Sequence, residues 1–196
     1  MNNLFVAKYD DEIPENALDI NTTSRSLNWT KGLSPFYLGP IKLYENYVSK
    51  NIENAWQFSK VYNEFIDENN NIKNTYFEWA IKGWNDIRAY RYPMGKGRKP
   101  LFALWNNKRL GYIDARKKIY LPLYANALIK SKAFKQLLNV YNETDKDIYL
   151  RDFDGYNHIK KSMSFKDVIN YEDKSMGHAF IIWLMLKKFG NKKGLF

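Results

Sequence analysis

The chain has 196 residues, a formal net charge of +10 at pH 7, 45% hydrophobic and 17% aromatic residues, and no cysteine. That length suits one domain with a small appendage and falls short of two full domains, and the aromatic content excludes a wholly disordered chain. Without cysteine there is no disulfide framework, thiolate zinc site or cysteine nucleophile, and two histidines, His158 and His178, argue against a multi-histidine metal site.

Residues 1–32 read as a loosely organised arm, with an acidic run at Asp10, Asp11 and Glu12 and a short strand at Leu4 to Ala7. Leu33 to Leu43 reads as loop and short strand, punctuated by Pro35, Gly39 and Pro40. Asn51 to Ile66 predicts a helix, because Ile52, Ala55, Ser59, Tyr62 and Ile66 follow steps of three and four. Asn69 to Asn71 is a loop. A second helix is predicted over Tyr76 to Tyr90, with Tyr76, Ala80, Trp84 and Ile87 on one face and Pro93 as its stop. Met94 to Pro100 is a cationic loop, and Leu101 to Tyr112 fits strand or helix equally.

Pro122 suits a helix start, followed by an apolar face of Leu123, Ala127, Leu128, Phe134, Leu137 and Leu138. Asp147 to Gly155 alternates like a short strand and then turns at Asp154 and Gly155. Ser175 to Lys188 predicts a buried last helix. Its apolar run, Ala179 to Leu186, is far short of a bilayer span, and the N-terminus lacks the basic and apolar regions of a signal peptide. The expectation is a mostly helical single domain of the α+β class over residues 33–189, with an N-terminal arm at 1–32 and a basic tail at 190–196. It is expected in the cytoplasm, with no membrane partner.

The charge is unevenly placed. Between Asp86 and Lys135 stand 13 Lys or Arg against Asp86 and Asp114, so this segment carries essentially the whole excess. Tyr90, Tyr92, Trp105 and Tyr112 are interleaved with the cations. Concentrated positive charge attracts phosphates, and neighbouring rings can stack on bases. Arg91, Lys96, Arg98, Lys99, Lys108 and Arg109 are therefore candidates for binding nucleic acid, DNA ahead of RNA. A diphosphate-bearing small molecule would be attracted as well, and the bland alternative is a solvated basic face.

Three groups could carry chemistry. Glu53, Gln57 and Lys60 lie at i, i+4 and i+7 of the first predicted helix, with Trp56 beside them. The alternative is the wet side of an amphipathic helix. Asp147, Asp152 and Asp154 surround a tight turn and could orient ribose hydroxyls or act as acid and base; the alternative is a turn capped by aspartates. Gly177 and His178 open the last helix, whose N–H groups can hold an anion; the alternative is a packing glycine and a satisfied histidine.

These pieces, in this order, resemble the NADAR family. The resemblance rests on Leu33-Ser34-Pro35-Phe36, Gly39-Pro40-Ile41, Tyr47, and Glu53, Gln57 and Lys60 on the family's Glu, Gln and Lys. It continues through Gly95, Lys99, Pro100 and Trp105, the helix ending Phe134-Lys135-Gln136-Leu137-Leu138, Asp147-Ile148-Tyr149, and Met176-Gly177. It departs where the family's Asn is Pro35, where its Trp-Gly is Leu150-Arg151, and where its Asn is Lys174, which marks a divergent member. The resemblance implies a NADAR-like fold and an N-glycosidase that cleaves a ribosyl C1′–N bond. Family members act on phosphorylated riboflavin intermediates or remove ADP-ribose from guanine in nucleic acid.

On that reading Glu53, Lys60, Asp147 and Asp152 are catalytic, and Ser34, Phe36, Trp56, Gln57, Tyr149, Gly177 and His178 bind substrate. No metal or other cofactor is required. The basic segment favours a modified base on nucleic acid, in DNA repair or phage–host conflict. The alternatives are a non-catalytic nucleic-acid-binding protein and a small-molecule glycosidase of riboflavin or nucleotide metabolism.

Overall fold

The computed structural model describes residues 3–190. In chain order the elements are β1 (Leu4–Lys8), β2 (Leu18–Asn21), β3 (Ile41–Lys42), β4 (Val48–Ser49), α1 (Ile52–Gln57), β5 (Lys60–Val61), α2 (Asn74–Asn85), β6 (Phe102–Trp105), β7 (Lys108–Leu110), α3 (Tyr112–Ala115), α4 (Leu121–Leu128), α5 (Lys132–Glu143), β8 (Ile148–Asp152), α6 (Phe165–Asn170) and α7 (Ala179–Phe189). Helices and strands are mixed, as the α+β expectation has it. They fall into two compact units: a terminal unit of residues 3–34 and 124–190, and a middle unit, Pro35–Leu123.

The terminal unit is organised by β8, an alternating strand whose Ile148 and Leu150 are fully buried. It lies between β1 and β2 and runs parallel to both, with Leu4 and Leu18 each in register with Ile148. The short strand expected at Leu4 to Ala7 is β1, with Leu4 and Val6 in the core, while Leu18–Asn21, expected to be loose arm, is a second sheet strand. The reason is non-local: a central strand needs a partner on each edge, and the partners come from the other end of the chain. Helix α7 covers β1 and β8 through Phe180, Ile181, Ile182 and Leu186. It starts four residues later than expected. The predicted tail lies, beyond Gly190, outside the described residues.

In the middle unit the predicted helix over Asn51 to Ile66 is only α1. Its C-cap Phe58 has φ −87° and ψ 0°; the Ser59 carbonyl accepts from Leu104 N at 2.7 Å, and Lys60 and Val61 pair with Ala103 and Phe102. Ser59 and Tyr62 are still buried, because a strand and a turn hide them as a helix would. The helix α2 stops at Asn85, well before Pro93, and Ile87 is left 84% exposed. Asp86 ends it by accepting from Arg88 N at 2.8 Å and Tyr90 Oη at 2.9 Å.

The ambiguous stretch after Leu101 is the β6–β7 hairpin. Asn106 and Asn107 form its tip at φ +47° and +60°, the left-handed pair that a two-residue hairpin turn requires. The single helix expected from Pro122 is two, α4 and α5. Ser131 caps the second by accepting from Phe134 N at 3.0 Å. Among the described residues no helix is long and apolar enough to cross a membrane.

Candidate functional site

In the middle unit, Asn51 caps α1 by accepting from Asn54 N at 2.8 Å. The next two N–H groups donate outside the helix, Ile52 N to Leu38 O at 2.9 Å and Glu53 N to Pro35 O at 3.0 Å. Asn54, fully buried, ties the loop after α2 to this helix. Its amide donates to the carbonyls of Gly83, Asp86 and Arg88, and its oxygen accepts from Tyr90 N. The short helix is thus fixed at both ends before any functional side chain is considered.

Glu53, Gln57 and Lys60 come together as the spacing predicts, although Lys60 stands on β5 and not on the helix. Gln57 Nε2 donates to Glu53 Oε1 at 2.9 Å, and Lys60 Nζ donates to Gln57 Oε1 at 2.7 Å. Glu53 and Gln57 are only 6% and 8% exposed, so this face is not the wet side of an amphipathic helix. Lys60 Nζ also sits 4.8 Å from the centre of the Trp56 ring, and Trp56 packs against Tyr120 at 5.3 Å. Burial pulls the Lys60 amine down to about 8, against the opposing attraction of Glu53. One face of Trp56 therefore already carries a cation.

A second cluster lies in the terminal unit. Asp152, 3% exposed, accepts from Ala179 N at 2.9 Å and Asp154 N at 3.2 Å, and its Oδ2 lies 3.0 Å from His178 Nδ1. His178 Nε2 lies 2.8 Å from the Thr22 carbonyl. The Thr22 hydroxyl also lies 3.0 Å from Nε2, so the ring is held at both nitrogens. Burial alone would raise the Asp152 carboxyl; the His178 ring and the two backbone N–H groups outweigh it and hold it below its usual value. A Cβ on Gly177 would fall 2.3 Å from Asp152 Oδ2, so a glycine stands there to let the carboxylate approach. The anion at the start of α7 is thus the protein's own Asp152.

Asp147 stands at the other end of β8, accepting from Asn3 N at 2.8 Å. Five steps of extended chain, about 17 Å, separate it from Asp152, so the two cannot grip one ribose as expected. Tyr149 stacks on Phe5 at 4.8 Å beside an open cavity of about 420 Å³ lined by Pro14, Asn16, Asp145 and Asp147. Ser34 is buried as the cap of the turn at Trp29–Leu33, its N donating to Lys31 O at 3.1 Å; Phe36 is half-buried in the middle unit.

The cationic candidates divide. Arg98 pairs with Glu64, Arg109 binds Asn70 and lies over the Phe102 ring, and Arg91 lies over Tyr92. Lys96, Lys99 and Lys108 are exposed, Lys108 at the end of the β6–β7 hairpin opposite Trp105. Among the described residues no group of three His, Asp or Glu side chains could hold a metal ion.

Sequence reasoning missed Asn54 and Thr22. An Asn-x-x-Asn cap pattern could have drawn attention to Asn54; nothing local pairs Thr22 with His178. The sequence model of a family of unknown function (DUF6939) matches residues 5–169. That span holds Glu53, Gln57, Lys60 and Asp152 and ends before Gly177 and His178. No curated protein matches the chain.

Proposed function

The chain belongs to a family of unknown function, DUF6939, and on that premise we propose that it is an N-glycosidase acting on a ribosyl C1′–N bond of a nucleotide-like substrate. One observation carries this reading: a carboxylate, an amide and an amine, buried and hydrogen-bonded in a row beside an indole. The NADAR resemblance supplies the reaction class and the expected fold family. When the C1′–N bond breaks, its electron pair leaves with the base nitrogen, which takes up a proton from solvent, to which Glu53 later returns the one it accepts. Positive charge spreads over C1′ and the ring oxygen, and water then adds at C1′. Glu53 stabilises that charge and accepts the proton of the attacking water. Lys60 holds a substrate phosphate or acts as an amine, for which a value of about 8 leaves it partly uncharged near neutral pH.

Asp152 has no place in this chemistry, because its carboxylate is spent on His178 and the start of α7. The polymer that fits the middle unit's charge is nucleic acid, DNA ahead of RNA, bearing ADP-ribosylated guanine or another hypermodified base. A target in a duplex would be extruded. The test is mass spectrometry of small molecules released from such modified oligonucleotides and from free riboflavin intermediates. Release by the wild type and its loss in Glu53→Gln supports the reading; no release from any of them refutes it.

The exposed Lys96, Lys99 and Lys108 also favour a second reading, a non-catalytic nucleic-acid binder. It predicts salt-sensitive binding that Glu53→Gln leaves intact, without release of any base.

A further inference from the structure

The polar row has a chemical direction. As an ammonium Lys60 Nζ only donates, so the end of Gln57 it meets, at 2.7 Å, is the oxygen. That leaves the Gln57 NH₂ for Glu53, which accepts at 2.9 Å. A flipped amide would set NH₂ against ammonium and oxygen against carboxylate. The orientation is therefore fixed by the two partners, and the amide stands between an acid and an amine that would otherwise be free to pair directly.

We infer that Gln57 is a positioning residue, a neutral spacer that holds the Lys60 amine and the Glu53 carboxylate apart while binding both. It was expected to bind substrate; both ends of its amide are taken up within the protein. This deepens the glycosidase reading and rests on it for its chemical purpose. A direct ion pair would lock the amine in its charged form and cover the carboxylate. With an amide interposed, burial governs the amine, and Glu53 acts on it only at a distance.

Glu53 is the carboxylate that acts on Lys60. Helix α1 packs against α2, whose charged side chains are Glu78 and Lys82, and against β4, which has none. The turn at Arg116–Tyr120 packs against α1 and brings cations, Arg116, Lys117 and Lys118, with Tyr120. The strand partner of Lys60, β6, Phe102–Trp105, has no charged side chain.

The test is an NMR titration of the lysine side-chain ¹³Cε signals in the full chain, with Lys60 assigned by its loss in Lys60→Met. Wild-type Lys60 is expected to titrate near 8. Gln57→Glu sets a carboxylate against the amine and raises the midpoint by about one to three pH units. Gln57→Ala removes the spacer, so Glu53 and Lys60 can pair directly and the midpoint rises as well. An unchanged midpoint in Gln57→Glu, or an unchanged or lower one in Gln57→Ala, overturns the proposal. If Gln57→Glu does not fold, Gln57→Ala decides alone. No substrate is present, so a failure of base release refutes the glycosidase reading and leaves this result standing, and the reverse holds equally.

Discussion

Two buried carboxylates, Glu53 in the middle unit and Asp152 in the terminal unit, keep different company. Asp152 is surrounded by donors from the backbone and by the His178 imidazole, and each of these contacts ties β8 to the start of α7 or to the turn that follows β8. Glu53 accepts from an amide whose other end holds an amine that burial has made easier to deprotonate. A closed, mutually satisfied cluster stabilises a fold. A row that ends in a titratable amine beside a half-buried indole is suited to chemistry. Burial alone does not separate the two; the identity of the partners does.

The largest expected effect tests the closed cluster. Asp152→Asn removes the buried carboxylate that His178 Nδ1 and Ala179 N meet and should cost about 3 kcal/mol in urea unfolding. Because the Asp152 carboxyl is held below its usual value, its contribution is present above about pH 4 and is lost as pH falls through its folded value. Wild type should therefore lose more stability on acidification than Asp152→Asn. Unchanged stability together with abolished base release would instead make Asp152 part of the site and erase the contrast.

Next comes Glu53→Gln, for which base release should fall about 10²- to 10⁴-fold with the fold intact by circular dichroism. Lys60 gives a smaller, pH-dependent signal. Its amine is pulled from 10.5 to about 8, so the folded state binds fewer protons than the unfolded chain between those values. Wild-type stability should then rise with pH across that window relative to Lys60→Met, by about 2 kcal/mol at most for a partly exposed amine. Urea titrations at both ends of the window measure it; a flat difference would remove the contrast between the clusters. The smallest effect belongs to the surface. Reversing Lys96 and Lys99 should weaken DNA binding and lower its salt slope by about 0.9 for each phosphate that is no longer neutralised, with turnover of free nucleotides unchanged.

Much of this was legible locally. The alternation of Ile148 to Asp152, the turn at Asp154, the apolar last helix and the Glu53–Gln57–Lys60 grouping all follow from side-chain spacing. The grouping survives although the predicted helix breaks at Phe58, because a lysine on the following strand still reaches the glutamine. The aspartates illustrate the opposite. Asp147 and Asp152 are close in sequence, yet an extended strand holds them at its two ends, and proximity along the chain misled.

What the sequence determined alone is whatever depends on neighbours within a few residues: charge distribution, strand alternation, and a polar row one helical face wide. Tertiary structure decided where helices stop, since Asp86 and Asn54 end α2 through bonds that no periodicity announces. It also decided that Leu18–Asn21 is a strand and that it and β1 flank β8, because β8 needed edges covered from more than a hundred residues away. The same long reach turned Asp152 and His178 from site candidates into a buried pair, since a carboxylate taken out of water keeps whatever donors the fold brings to it.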